Sequence, residues 1–167
     1  GSILRNLGNL KEAEFFTRKA IELKPDYPEA YLNLGLILRD LGNLKEAELF
    51  THKAIKYKPN YPEAYFNLSW IQLLRGEYQS GLENYEFRFK TKKPAITHAN
   101  IKLKQMNNQK LQKGEKLLVV AEQGLGDTLQ YMRYIPYLQK QGFNISFCAQ
   151  TKLHSLIQAS GINQTPL

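Results

Sequence analysis

Residues 3–36 read ILRNLGNLKEAEFFTRKAIELKPDYPEAYLNLGL, and residues 37–70 read ILRDLGNLKEAELFTHKAIKYKPNYPEAYFNLSW. The two stretches are identical at 25 of their 34 positions, and a weaker third copy starts at Ile71. Self-similarity at this period is typical of a solenoid, in which each helical hairpin buries its apolar face only against its neighbours. The sequence therefore predicts stacked helical hairpins at the start of the chain.

Local signals predict two helices in each full repeat. One should span 28–40, because Pro28 suits a first helical turn, and its partner should span 44–57. Gly42 between them can take the positive φ of a tight turn. Asn43 and Glu46 resemble a capping box at the start of the second helix.

Small residues should let the two helices of a hairpin approach closely. Gly35 and Ala47 are expected to meet, and the third copy has Ser69 and Gly81 at the same positions. That copy departs from the pattern at Arg88, where both earlier repeats have alanine. Such a change is typical of a terminal repeat.

Composition limits the classes of protein to which the chain can belong. The 167 residues include a single cysteine, Cys148, which excludes an intrachain disulfide and a cysteine zinc cluster and favours a reducing compartment. No apolar run approaches the roughly 20 residues that cross a bilayer, and no signal peptide opens the chain. We therefore expect a cytoplasmic protein with no membrane partner, no metal site and no cofactor of its own.

The net charge of +8 lies almost wholly in one short stretch. Residues 1–89 hold 12 basic and 12 acidic groups, 90–116 hold 8 and 1, and 117–167 hold 3 and 2. The basic stretch lacks the interleaved aromatic residues of a nucleic-acid platform. It favours a solvated basic linker at 91–115, with an anionic contact as the alternative, and makes nucleic acid an unfavoured partner.

The pattern changes period after this linker. Strands are expected at 116–122 and 143–149, and helices at 128–141 and 151–159. The order is that of an incomplete α/β segment, Rossmann-like with a β-α-β-α sequence, over 116–167. The predicted fold is thus mostly α, a solenoid followed by this α/β segment.

A glycine turn joins the first of these strands to its helix. Gly124 and Gly126 do not complete a dinucleotide fingerprint, because Leu129 occupies the place of the third glycine, and the Walker lysine is also missing. The turn would still present backbone N–H groups and the Asp127 carboxylate where open α/β sheets place ligands. The alternative is that Asp127 only caps its helix.

The repeats resemble the tetratricopeptide repeat (TPR) consensus. The array would cover 1–90, with a partial first repeat, a full repeat at 27–60 and a degenerate terminal repeat at 61–90. The resemblance implies a right-handed solenoid whose first helices line a groove for a protein or peptide. The matching residues are Tyr31, Leu34, Gly35, Gly42, Ala47, Ala54 and Pro59. The implied groove-facing residues are Leu32, Asn33, Leu36, Arg39, Phe66, Asn67, Trp70 and Leu73.

Asn33 and Asn67 occupy the same position one repeat apart. Because a side-chain amide offers both a donor and an acceptor to a peptide backbone, the pair resembles the start of an asparagine ladder. The alternative is that both amides are merely solvated. We also expect Phe66 and Trp70 to pack on the next hairpin.

The second part of the chain has a resemblance of its own. Residues 117–142 read LLVVAEQGLGDTLQYMRYIPYLQKQG, and residues 85–89 read YEFRF. The first run resembles the opening of the glycosyltransferase-like domain that follows TPR arrays in many bacterial proteins, and it is similar to the start of heptosyltransferases. The second run resembles the aromatic and arginine run that precedes this domain. The matching residues in the first run are Glu122, Gln123, Gly124, Gly126, Asp127 and Pro136.

This resemblance implies roles that the residues alone do not establish. Asp127 would be the base that deprotonates the acceptor hydroxyl, and a second domain beyond Leu167 would hold a nucleotide sugar. The chain would then be an inactive piece of a larger protein. The first repeat also starts mid-helix, with Gly1 aligned to Gly35, which suggests a cut chain in which Gly1 and Ser2 are a scar, or a piece of a longer array.

Two functions stay open at this point. One is a peptide-binding scaffold within a TPR–glycosyltransferase-like parent, and the other is a stand-alone, non-enzymatic TPR adaptor between proteins. Either could self-associate through the open end of the solenoid or the unfinished sheet. Residues 71–90 are expected to seal the solenoid against the glycine-turn domain.

Overall fold

The computed structural model divides into two compact units, Gly1–Pro94 and Ala95–Leu167. Most of the predicted linker at 91–115 lies outside the residues that the structure describes. Those residues are 1–95, 102–103, 106, 112–122 and 124–167.

The first unit is a series of helical hairpins in which each helix packs mainly on its neighbours in the chain. The predicted helices at 28–40 and 44–57 are confirmed as α3 and α4, with those bounds. Pro28 lies in the first turn of α3, and Gly42 takes a φ of +82° in the turn that follows. The helices are α1 (Ser2–Asn6), α2 (Leu10–Leu23), α3 (Pro28–Asp40), α4 (Leu44–Tyr57), α5 (Pro62–Leu74) and α6 (Tyr78–Tyr85).

The contact between α3 and α4 depends on Gly35. A side-chain carbon at this position would overlap Thr51 Oγ1 and lie 3.1 Å from the Ala47 carbonyl oxygen. Thr51 has no room to withdraw, because it is fully buried and its hydroxyl donates to that same carbonyl at 2.7 Å. The predicted meeting of Gly35 and Ala47 is therefore confirmed.

The predicted capping box at the start of α4 is wrong. Asn43 makes no side-chain capping hydrogen bond in the structure. The Glu46 carboxylate instead accepts a hydrogen bond from Arg18 Nη2 of the preceding hairpin, at 2.6 Å. Glu46, the side chain that the capping box needed, instead forms an ion pair with Arg18 between repeats.

The third hairpin ends differently from the second. Its second helix, α6, stops at Tyr85, and a 3₁₀ turn follows at Glu86–Phe89. Arg88 stands where the earlier repeats have alanine, and the residue is only 9% exposed. Its guanidinium carbon lies 3.9 Å from the Phe89 ring centroid, and its Nη1 donates to the Tyr85 carbonyl. A buried guanidinium needs more space than a methyl group, so the close helix packing ends there.

The turn restores the packing of the first helix in another way. In the second hairpin, the Tyr31 ring stacks on Phe50 and Tyr57 of α4. In the third hairpin, the equivalent Tyr65 stacks on Phe87 of the 3₁₀ turn, with ring centroids 4.4 Å apart. The third repeat thus keeps an aromatic stack while shortening its second helix.

The described residues of the second unit include a parallel pair of strands, as the sequence order predicts. Register pairs Lys116 with Asn144 and Val120 with Cys148. Both strands are shorter than the predicted 116–122 and 143–149. The elements are β1 (Lys116–Val120), α7 (Leu125–Tyr131), α8 (Tyr134–Lys140), β2 (Asn144–Cys148), a 3₁₀ turn (Thr151–Leu153) and α9 (His154–Ala159). The core of the unit comprises Ile135, Phe147, Ala149, Leu153 and Ile157.

The predicted single helix at 128–141 is wrong, because it is divided into α7 and α8. Pro136 has no N–H to donate to Met132, and its ring would clash with the Met132 carbonyl in a continuous helix. That carbonyl instead accepts the Ile135 N–H at 3.0 Å, a tighter turn that separates the two helices. The predicted helix at 151–159 likewise begins as a 3₁₀ turn.

The free edge of β2 is partly paired. The Leu167 N–H donates to the Phe147 carbonyl at 2.9 Å, and the Ala149 N–H donates to the Leu167 carbonyl at 3.1 Å. The backbone of Leu167 therefore extends the sheet on the side of β2 away from β1.

The Gly35 contact predicts the effect of adding one carbon atom. Gly35→Ala should lower the free energy of unfolding by about 1–3 kcal/mol, because the new methyl group overpacks a closed contact. Urea unfolding followed by Trp70 fluorescence measures this loss. In the double variant Gly35→Ala/Thr51→Ala, the loss should be smaller than the sum of the two single losses, since the overlapped oxygen is gone.

The matched control is Ser69→Ala, at the same position of the next repeat. Ser69 is fully buried, yet its hydroxyl reaches the Phe66 carbonyl at 2.7 Å, so the site already holds a side chain. A Gly35→Ala variant no less stable than the starting protein would contradict the close approach of α3 to α4.

Candidate peptide-binding surface

Side-chain hydrogen bonds link the first helices of successive repeats. Arg5 Nε of α1 donates to Asp40 Oδ2 of α3 at 2.6 Å, and Arg39 Nη1 of α3 donates to Asn67 Oδ1 of α5 at 2.9 Å. We call the surface that carries these side chains the first-helix surface. It is formed by Arg5, Arg39, Asp40, Phe66 and Trp70 of α1, α3 and α5, with Tyr85 of α6 beside them. It is the surface on which the predicted groove residues have to be placed.

The ladder prediction requires the Asn67 amide to be open to a peptide, and in this structure it is not. Its side chain is 2% exposed, and its amide Nδ2 donates to Thr51 Oγ1 of α4 at 2.9 Å. Its Oδ1 is occupied by Arg39, so both polar ends of the amide are used inside the array. Asn67 ties the third hairpin to the second.

Asn33 has a different environment from its equivalent one repeat later. Its side chain is partly exposed and, among the described residues, makes no hydrogen bond. An amide in this state keeps its donor and acceptor available. The Asn33 half of the ladder stays a prediction.

Several predicted groove residues belong to the packing of the array instead. Leu32 is buried in a cluster with Tyr31, Ala54 and Tyr61, and Leu36 packs partly against that cluster. Leu73 lies against the third hairpin's own second helix, because a side-chain carbon at Gly81 would come within 2.8 Å of its Cδ2 atom. Leu32 therefore contributes little surface to a groove, whereas Leu73 stays partly exposed.

Two arginines share one carboxylate at the end of α3. Asp40 accepts Arg5 Nε through Oδ2 and Arg39 Nη2 through Oδ1, at 2.6 and 2.9 Å. Burial would raise the pKa of the Asp40 carboxyl, but hydrogen bonds from Arg5 and Arg39 outweigh it and hold that pKa below its usual value. The cluster is thus two positive charges around one negative charge.

Three aromatic rings form the other end of the first-helix surface. Phe66 and Trp70 of α5 both contact Tyr85 of α6, with ring centroids 5.6 and 5.9 Å apart, and their own centroids are 6.1 Å apart. The prediction that they pack on a next hairpin is wrong, since Tyr85 belongs to their own hairpin. The rings meet mostly edge to face, and Trp70 stays 41% exposed.

Tyr85 is the residue that sequence reasoning missed. It occupies the repeat position of Thr51, which in the second hairpin bonds to the following first helix. A tyrosine cannot fit that role and turns onto Phe66 and Trp70 instead. Comparison of the repeats position by position would have found this change, as it did for Arg88.

The glycine turn of the second unit leads into α7. Gly124 precedes α7, Asp127 is the third residue of the helix, and no side chain caps its start. Asp127 is exposed, and a side-chain carbon on Gly124 would lie 3.5 Å from its Oδ2 atom. The alternative that Asp127 caps its helix is therefore wrong, while its role as a base stays a prediction. Gly126 faces open space, and Gln123 lies outside the described residues.

Thr128 holds this turn in place. It is buried, and its hydroxyl lies 2.9 Å from Gln150 Oε1 and 3.2 Å from the Gly124 carbonyl. The contact joins the start of α7 to the segment after β2.

The described residues include neither a cluster of metal-ligating side chains nor a membrane-spanning helix. No three of their His, Cys, Asp and Glu side chains are placed to share a metal ion. In the same residues, no helix has both the length and the apolar character needed to span a bilayer.

Comparison with protein families gives three matches within the first unit. A model described as TPR repeat matches residues 18–42, and two tetratricopeptide repeat models match residues 1–27 and 53–83. The matches and the helical hairpins support a TPR protein. No curated protein sequence matches the chain.

Solved structures of TPR domains resemble the chain as well. The TPR2B domain of yeast Sti1 in its complex with pHsp70 is 26% identical, with a TM-score of 0.51, over 54% of this chain and 72% of that one. The TPR2AB domain of yeast Sti1 in its complex with pHSP90 is also 26% identical, with a TM-score of 0.50, over 54% of this chain and 35% of that one. Both likenesses support the TPR solenoid predicted for the first unit.

Proposed function

We propose that the TPR array holds a segment of another protein along the first-helix surface. The observation that carries the proposal is Trp70, a large aromatic side chain that stays 41% exposed although Phe66 and Tyr85 support it on two sides. Exposed tryptophans in fixed positions are typical of binding hot spots. A cytoplasmic setting and a right-handed superhelix remain predictions.

The similar structures support a polypeptide as the ligand. Both Sti1 structures are complexes, one with pHsp70 and the other with pHSP90. We do not carry either ligand over to this chain, because Asn67 and Arg39 are bonded to each other here and the identity is only 26%. The proposal is limited to a peptide or protein segment of unknown sequence.

A peptide on this surface would be bound mainly through its side chains and less through backbone hydrogen bonds to an asparagine ladder. Asn67 is occupied inside the array, so Asn33 is the predicted ladder residue whose amide is available. Contacts with Trp70 and with the charged cluster around Asp40 would then supply most of the affinity. This sets the array apart from one that reads the peptide backbone at every repeat.

Selection of random 12-residue peptides on the full 167-residue chain tests the proposal. A selected peptide should protect Trp70, the only tryptophan in the chain, from quenching by acrylamide. Trp70→Ala should weaken binding of the labelled peptide, measured by fluorescence anisotropy, about tenfold or more, because it removes a hot-spot side chain.

Leu49→Ala on α4 is the matched control. Leu49 is a large apolar residue that is 53% exposed, but it lies on a second helix. It should leave the affinity unchanged. If no peptide is selected, or if binding ignores Trp70 and depends on Leu49, the proposed surface is wrong.

For the second unit, we propose the opening of a glycosyltransferase-like domain in a longer parent protein. The parallel strands, the exposed Asp127 in the first turn after β1, and the pairing of Leu167 beyond β2 support this proposal. In doubly wound sheets, a third strand commonly lies beside the second on the side away from the first. The donor would be a nucleotide sugar, bound by residues outside this chain.

Asp127→Asn in such a parent tests the assignment of the base. Sugar transfer should fall by about a hundredfold or more, since an amide cannot accept the proton of the acceptor hydroxyl. The thermal midpoint should hardly change, because Asp127 is exposed and caps no helix. Transfer at the unaltered rate would refute the role of Asp127 but would leave the peptide surface untouched.

A further inference from the structure

The first-helix surface carries charge and aromatic character at separate places. Arg5, Asp40 and Arg39 form the charged part, and Phe66, Trp70 and Tyr85 form the aromatic part. Asn67 joins them, since it is bonded to Arg39 and lies one helical turn before Trp70. A ligand that covers both parts needs two kinds of side chain in a fixed order.

The charged part keeps one positive charge in excess. Two arginines face one aspartate, and the low pKa of Asp40 means that it is already ionised near neutral pH and fully counted in that sum. Arg5 donates to Asp40 through Nε, and the other N–H groups of its guanidinium make no hydrogen bond to the described residues. The side chains of Arg5 and Arg39 are 25% and 19% exposed, so an anion can approach them.

Other acidic groups near the first helices are already paired elsewhere. Glu29 binds Lys58, and Glu63 accepts the backbone N–H of Lys92. Both residues lie in the first turns of their helices, at the opposite end from Arg39 and Asp40. They do not cancel the positive charge at the Asp40 cluster.

We infer that the array prefers an extended peptide in which an acidic side chain is followed or preceded, about two to four positions away, by an aromatic or large apolar one. The acid would meet Arg5 and Arg39, and the apolar side chain would rest on Trp70. The inference depends on the proposed peptide-binding function and specifies its ligand by charge complementarity. An aromatic side chain suits Trp70 because ring contacts add to the burial of apolar area.

The rings do not form a cage for a cation. Their centroids are 5.6 to 6.1 Å apart and the rings contact one another, so no space remains between them for a methylated ammonium group. Trp70 instead stays 41% exposed, so part of its ring system can contact a ligand. The excess positive charge around Asp40 disfavours a cationic side chain on this surface, so an apolar partner suits Trp70 better.

The experiment compares three charge variants of the full chain against one selected peptide and the same peptide with its acid replaced by the amide. Arg5→Gln should lower affinity for the acidic peptide about fivefold, and Asp40→Asn should raise it by a similar factor, because the first removes a positive charge and the second removes a negative one. Lys45→Gln on α4, an exposed lysine on a second helix, should change neither.

The opposite signs separate recognition from fold stability. Arg5→Gln and Asp40→Asn break the same ion pair, so a purely structural role would make them act alike on binding. The amide form of the peptide should lose the difference between the two variants, and added salt should reduce it for the acidic form.

The outcomes of the selection distinguish the inferred ligand preference from the proposed peptide-binding function. Enrichment of an acid and an aromatic residue at the stated spacing, with the opposite charge effects, supports the inference. Enriched peptides that depend on Trp70 but are basic or uncharged would overturn the inference and leave the proposed function standing. Failure to enrich any peptide would overturn both.

Discussion

The missing side chain at Gly35 is the constraint on which the array depends. It lets α3 approach α4 until the Thr51 hydroxyl is fully buried between them. From that position, the Thr51 oxygen accepts the Asn67 amide of the next repeat, so one close contact sets both the hairpin and its neighbour. Arg39 completes the link from the other side of Asn67. The Asn67 amide, which the ladder prediction assigned to a peptide backbone, is used to hold the repeats together.

The repeat position that Thr51 occupies in the second hairpin explains how the array changes at its third hairpin, where Tyr85 stands there. Tyr85 replaces Thr51 and cannot enter the space that the threonine fills, so it supports Phe66 and Trp70 on the first-helix surface. Arg88 replaces an alanine and ends the regular helix, and Phe87 then supplies the ring that Tyr65 needs. Substitutions that weaken the repeat pattern therefore create the aromatic surface on which the proposed function rests.

Much of the first unit was predictable because its signals are local. The bounds of α3 and α4 follow from Pro28, Gly42 and the 34-residue period. The environment of Asn67 was not predictable, since it depends on Thr51 and Arg39, which are 16 and 28 positions away. The division at Pro136 could have been read from the sequence, but the apolar spacing of 128–141 favoured one helix. The bonds of Thr128 and Leu167 depend on tertiary pairing that no short motif specifies.

The central claim is that a peptide binds to the first-helix surface through side chains while Asn67 stays inside the array. A two-dimensional ¹H–¹⁵N spectrum of the labelled chain, recorded with and without a selected peptide, tests it directly. The account predicts shifts for the Trp70 indole N–H and the Asn33 side-chain amide, with little change at the Asn67 amide. Shifts confined to residues around Leu49 and Tyr57 on α4, or release of the Asn67 amide from its bonds, would contradict it.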